Sequence, residues 1–201
     1  MRVVFHGASH TANDQYTSFV RRGLQSRLGD GGPGWVMPAP PFPLQSHAGV
    51  SVRGTGWTGH KVRGREQRRD EYGYAGFFLE GRDAEATLRS RTPIDVAELF
   101  AGGEGEVDLL VDGVVAQTAA LRTEGARLVA EFDEGTPTIR LRVRGTARVY
   151  GVVVERRGQD ASRGAVVDAL GVPGTRIWDQ ERWQTEVMAT QLGTRPPDLV
   201  A

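Results

Sequence analysis

The chain has 201 residues with 25 Lys+Arg against 25 Asp+Glu, so its formal net charge is zero. That balance gives no electrostatic reason to expect a nucleic acid or an anionic membrane as partner. The absence of cysteine excludes disulfides and thiolate metal sites, and no apolar run approaches the length of a membrane span.

The first strand is expected to start at Arg2, with no leader ahead of it. Val3, Val4 and Phe5 form a short apolar run suited to a buried parallel strand. Gly7 ends the run and allows a tight turn, and Ser9 follows at once. From Asn13 the period becomes helical, with Tyr16, Phe19, Val20, Leu24 and Leu28 recurring at spacings of three and four. Strand, Gly-turn, Ser and helix in that order present a hydroxyl at the carboxyl end of a sheet. Backbone N–H groups at the helix start are then placed to hold an oxyanion. The nucleophile elbow of α/β-hydrolases needs Gly two residues after the serine, and Thr11 stands there.

From Gly29 to about Gly59 the chain is rich in Gly and Pro, with Pro33, Pro38, Pro40, Pro41 and Pro43 close together. This reads as a long surface connection, since such a segment suits neither a helix interior nor a central strand. If it crosses the catalytic face, Trp35, Phe42 and Trp57 are candidate platforms for a sugar ring. The alternative is that these rings are tucked against the core.

Between about Lys61 and Arg156 the period is two. Ala84–Ser90, Val107–Val111, Ile139–Val143 and Ala147–Val153 all alternate, and Asp112-Gly113 lies between two strand-like runs as a hairpin signal. Arg140, Arg142 and Arg144 alternate with Ile139, Leu141 and Val143, which reads as the solvated face of an antiparallel strand. The block is expected to be an antiparallel β-sandwich or jelly-roll of about eight strands. After Arg157-Gly158 the α/β pattern returns. Ala165–Leu170 is a second strand, Gly171–Gly174 a turn at its end, and about Trp178 to Leu192 a helix carrying Trp183 and Val187. Gly193 and Pro196-Pro197 stop that helix, and Asp198–Ala201 opens a third parallel strand.

Two stretches resemble the SGNH, or GDSL-like, hydrolases. Gly7-Ala8-Ser9-His10-Thr11, a helix, and Gly29-Asp30-Gly31-Gly32-Pro33-Gly34 are similar to block I of one subgroup, with Ala8 where that subgroup has Asp. Asp168-Ala-Leu-Gly-Val-Pro-Gly-Thr-Arg176 is similar to block II, with Pro173 in place of Asn. The resemblance implies an incomplete SGNH/flavodoxin-like α/β sheet over residues 1–59 and 158–201. An inserted, carbohydrate-binding-like β-domain would cover residues 60–157. It implies Ser9 as nucleophile, the N–H groups of Ser9 and Gly174 as oxyanion donors, and His10 as a substrate-side residue. It implies an O-acetyl esterase acting on a cell-wall or extracellular polysaccharide, with no cofactor. The family is often exported, and the compartment of this chain stays open.

Block III (Gly-x-Asn) and block V (Asp-x-x-His), which supply a further oxyanion donor and the base, have no counterpart in these residues. The chain by itself is therefore expected to be inactive, because a serine without an adjacent base is a poor nucleophile. The competing reading is a non-catalytic glycan-binding or scaffold protein with a decayed site. His6, His10, His47 and His60 show no ligand-type spacing, so no metal site is expected. A sheet of two strands and a stub leaves an open edge, which a second copy or another polypeptide is expected to cover.

Overall fold

The structure is a computed structural model describing residues 1–62, 72–123, 125–157, 164–176, 179 and 186–201. The expected helix start at Trp178 and the side chain of Trp183 lie outside the described residues. The chain begins with β1 (Arg2–Gly7), the short α1 (Ser9–Ala12) and α2 (Gln15–Leu28). It then runs through β2 (Gly34–Val36), β3 (Val50–Lys61), β4 (Phe77–Val111), β5 (Val114–Leu121) and β6 (Ala126–Glu155). It closes with β7 (Val166–Gly171), α3 (Glu186–Thr194) and β8 (Leu199–Val200).

The architecture is α/β with an inserted antiparallel β-domain. The parallel sheet has the order β7-β1-β8, with Val3 opposite both Val167 and Leu199. Its outer strand β8 leaves Leu199 and Val200 more than half exposed. The antiparallel sheet has the order β2-β6-β4-β3, with β5 on β4. β4 and β6 are long, bent strands that serve two layers. The Glu85–Arg89 segment of β4 pairs with one edge of the 138–142 stretch of β6, and Val107–Val111 pairs with the other edge of much the same stretch. Farther along, the 97–101 segment of β4 lies between 126–130 and 149–154 of β6. Val107, Leu109, Ile139, Leu141 and Leu99 fill the space between these layers, fully buried.

The hairpin signal holds: β4 ends at Val111, β5 starts at Val114, and Asp112 and Gly113 take φ of 49° and 82°. Positive φ at both central residues is the primed turn that matches strand twist. The arginine row does face outward, yet it is not simply solvated. Arg142 and Arg144 both donate to Asp108, at 2.7 and 2.5 Å, and Thr118 adds its hydroxyl at 2.7 Å. The Arg144 hydrogen bond, opposed by burial, leads the causes that hold the Asp108 carboxyl far below its usual range.

One local expectation is corrected. Strand structure sets in at Val50, inside the stretch expected to be a connection, and β2 also lies there. The apolar stripe of α2 does not face the sheet: Phe19 is 69% exposed and Leu28 51%, while Thr17, Ser18 and Arg21 are buried. Hydrogen bonding decides that orientation. Arg21 donates to Asp14 at 2.8 Å and to the Val167 carbonyl of β7 at 3.0 Å, and Asp14 also accepts from Thr17 and the Ala48 N–H. Burial opposes ionisation of Asp14, but the Arg21 guanidinium outweighs it and lowers its pKa.

A second apolar cluster joins the two sheets. Val4 and Leu170 from the parallel sheet meet Trp35, Tyr74, Phe78 and Phe100. Beside it lies a buried ion cluster. Arg195, 2% exposed, donates to Glu155 at the end of β6 and to Asp168 of β7 at 3.1 Å. Arg2 of β1 reaches Glu155 at 3.2 Å, and Asp168 also accepts the Trp35 N–H of β2 at 2.8 Å. Burial opposes ionisation of Glu155, but the two arginines hold its pKa below the ordinary range. Four charged side chains thus fasten the β-domain to the parallel sheet.

Candidate active site

β1 and β7 run parallel and in register, so Gly7 lies opposite Gly171, and the Val172 N–H donates to the Gly7 carbonyl at 2.9 Å. Both strands therefore end at the same edge. Ser9 follows Gly7 as the first residue of α1, half-buried. Within α1 the Ala12 and Asn13 N–H groups bond back to the Ala8 and Ser9 carbonyls. The N–H groups of Ser9 and His10, in the first turn, have no acceptor within the helix.

The site depends on close approach of backbones. A Cβ on Gly171 would collide with the Ala12 nitrogen and the Ala8 carbonyl oxygen. Glycine there lets the Ser9 turn rest directly on the end of β7. Replacing Gly171 with alanine is expected to cost about 1–3 kcal/mol, the range for overpacking a filled site. A chemical denaturation midpoint equal to that of the parent chain would refute this.

The loop after β7 is a type II turn. The Thr175 N–H donates to the Val172 carbonyl at 3.2 Å, with Pro173 and Gly174 between them and a φ of 78° at Gly174. Pro is favoured at the first central position of such a turn and Gly at the second. Pro173, the departure from the block II pattern, therefore suits the turn. The hydrogen bond that closes it uses the N–H of Thr175, leaving the N–H of Gly174, an exposed residue, outside it.

The remaining candidates fall elsewhere. Trp35 is 3% exposed, stacked on Phe100 at 5.2 Å with Tyr74 against its edge, so it is core and not a sugar platform. Phe42 is likewise buried, against Phe77. Trp57 is half-buried on β3, its indole N–H donating to the Glu85 carbonyl at 2.8 Å. The contacts that fix it come from β3 and β4. His10 is exposed beside Ser9.

No described residue hydrogen-bonds the Ser9 hydroxyl, and the histidines have other work. His6 packs edge-on against Tyr74 at 5.4 Å, and burial pushes its ring down to about 4 against the pull of Asp168. His47 sets its Nε2 3.1 Å from the Pro33 carbonyl and accepts the Gly49 N–H on Nδ1, which fixes the Nε2–H tautomer. Burial pushes it down to about 4 as well, aided by the Arg21 charge and opposed by Asp14. His60 stacks on Phe78 and lies 3.3 Å from Glu80. Among the described residues no cluster of three His, Asp or Glu could hold a metal ion, and no helix is long and apolar enough to cross a membrane.

Sequence reasoning missed the ion cluster. Its one visible trace is Asp168, a lone acid inside the apolar run Val166–Leu170. A charge in such a run demands a buried partner. Nothing marks Arg195 as that partner.

Among solved structures, a peptidoglycan O-acetylesterase caught in action at 5 min superposes with a TM-score of 0.77 over 100% of this chain, at 24% identity. The chain shares the fold of the matched part of that structure, a parallel α/β sheet with an inserted antiparallel β-domain. It spans about half, 54%, of that longer chain. A family 29 carbohydrate-binding module in complex with mannohexaose matches at a TM-score of 0.43 and 13% identity, over 68% of this chain and 94% of the module. Another module of that family matches at 0.39 and 13%, over 59% and 82% respectively. Likeness of that degree fixes neither fold nor function. No protein-family profile matches the chain, and no curated protein matches it.

Proposed function

We propose that this SGNH-like chain is the part of a serine ester hydrolase that carries the nucleophile and the oxyanion donors. Its substrate would be an O-acetylated cell-wall or extracellular polysaccharide. The observation that carries the reading is the in-register pairing of Gly7 with Gly171, which sets the Ser9 turn and the Gly174 turn on neighbouring strand ends. In this reading Ser9 Oγ attacks the acetyl carbonyl and gives its proton to a base. The tetrahedral oxyanion is held by the N–H groups of Ser9 and Gly174. Collapse expels the sugar alkoxide, which takes up a proton, and water then releases acetate from Ser9. Residues 1–49 and 158–201 supply this chemistry, and residues 60–157, together with β3 back to Val50, hold the sugar chain. The name of the structural neighbour, a peptidoglycan O-acetylesterase, supports the choice of ester.

The base is the part these residues do not supply, so the test adds one. With imidazole in solution, the chain is expected to release acetate from an O-acetylated amino sugar at least ~10-fold faster than its Ser9→Ala variant, a modest share of what a positioned base contributes. Equal rates would overturn the reading. They would favour the second one, a glycan-binding protein without catalysis, for which the lack of a partner for the Ser9 hydroxyl among the described residues speaks.

A further inference from the structure

A strand at the edge of a sheet keeps one row of N–H and C=O groups free to pair with any strand that offers itself. Among the described strands, β3 and β5 each pair with β4 alone. β3 carries Arg53 and Lys61 and a bulge at Thr55/Trp57, devices that discourage further pairing. β5, Val114-Val-Ala-Gln-Thr-Ala-Ala-Leu121, has no charged residue and no proline. Its register with β4 shifts once, at Leu109/Leu110, and Gln117–Leu121 then pairs residue for residue with Leu109–Gly105.

β5 also holds apolar side chains in water. Val114 is 70% exposed and Val115 44%, and Ala116, Gln117, Thr118 and Ala120 are exposed as well. Every residue of the strand has a backbone N–H, and in an antiparallel ladder about half of these point away from the neighbour already in place.

The charges sit at the two ends of β5 and have opposite sign. Asp112 precedes it in the hairpin turn, Arg122 follows it, and both are exposed. Among the described residues Asp112 accepts the Thr136 hydroxyl at 2.5 Å, and no carboxylate pairs with Arg122. Two β5 strands laid edge to edge and antiparallel put the Asp112 end of each beside the Arg122 end of the other. Laid parallel and in register, the same strands would set like charges together at both ends. The edge therefore complements itself in one orientation, as a twofold interface requires.

We propose that the β5 edge is the docking site for β5 of a second copy of this chain, the two forming an antiparallel ladder across a twofold axis. Each copy offers one such edge, so association stops at the dimer. This edge belongs to the β-domain and is distinct from β8 of the parallel sheet. The pairing does not depend on the ester-hydrolase reading.

Sedimentation equilibrium reads the mass of the 201-residue chain as its concentration is raised. One strand edge is small beside the ~1,200–2,000 Å² of a stable interface, so the pair is weak and the series runs to about 0.5 mM. The parent is expected to approach twice the monomer mass. Val115→Lys/Ala120→Lys, which sets cations along the edge at two exposed positions, is expected to stay monomeric. Arg122→Glu makes both ends acidic and is expected to weaken association about tenfold or more. Leu199→Lys/Val200→Lys, on the β8 edge, is expected to associate as the parent does. All these positions are exposed, so each variant is expected to keep the parent's denaturation midpoint.

A parent that stays monomeric leaves the edge to a foreign strand and overturns the proposal. So does a parent that grows past the dimer, or a Val115→Lys/Ala120→Lys chain that pairs as tightly as the parent. Pairing untouched by Arg122→Glu removes the antiparallel arrangement and the proposal with it. Loss of pairing in the β8 variant alone moves the contact to the parallel sheet, which overturns it as well.

Discussion

Arg195→Met is expected to lower the free energy of unfolding by about 3–5 kcal/mol, the cost of removing one partner from a buried ion pair. Arg195 is 2% exposed and faces two carboxylates, Glu155 and Asp168, in separate sheets. Glu155 would keep Arg2 at 3.2 Å. Among the described residues Asp168 would keep only the backbone N–H of Trp35 as a hydrogen-bond partner, leaving a buried negative charge with no cation bonded to it. Lysine is a weak substitute, because a single ammonium does not reproduce the fork that spans both acids. The double replacement Arg195→Met/Asp168→Leu is expected to recover part of the loss, since an apolar pair leaves no unpaired charge in its place. Urea denaturation followed by tryptophan fluorescence measures all three. A loss under ~1 kcal/mol for Arg195→Met, the range of an exposed pair, would show that the cluster does not hold the sheets together.

Acid is expected to weaken the protein before its carboxylates titrate. His6 and His47 ionise at about 4 in the folded chain, against an ordinary 6.5. The unfolded chain therefore binds protons between these values that the folded chain refuses. Stability is full above pH 6.5 and falls as pH drops toward 4, by roughly 3 kcal/mol for each histidine. Asp14 and Glu155, lowered from their ordinary 3.8 and 4.5, add their losses further down. His47→Gln removes one of the two half-buried rings and is expected to halve the slope of stability against pH in this window. A slope unchanged by that replacement would mean that the His47 imidazole is not the group taking up the proton.

What could be read from the sequence followed from how local each signal is. The Val3–Phe5 run and the Ala165–Leu170 run became paired parallel strands because a fully buried strand must be apolar on both faces. Asp112-Gly113 became a hairpin because so few dipeptides accept two positive φ values. β3 was hidden by its own glycines, which argue against a strand interior. The fold explains Gly59, where a Cβ would collide with the backbone of Pro41: the proline-rich segment lies directly on the strand. The facing of α2 was illegible for another reason. Its stripe of Tyr16, Phe19 and Leu28 is periodic, but a buried arginine seven residues from its aspartate set the orientation instead. At the site, Ser9 and the Gly174 turn were visible as motifs, while the contact of α1 with Gly171 needed three dimensions.

The pairing of β1 also sets a schedule for biosynthesis. Its neighbours, β7 and β8, begin at Val166 and Leu199, so β1 has neither of these partners until the chain has been made as far as Val166. By then the strands from Val50 to Glu155 have all been synthesised and can pair among themselves. Contacts so distant along the chain form slowly, because a long loop must close before they yield any stabilisation. Val3, Val4 and Phe5 therefore wait as an apolar segment without their strand partners while the ribosome works through the β-domain. In refolding, the β-domain is expected to gain its protected amides first, and β1 to be captured later, between two strands that follow the β-domain in sequence.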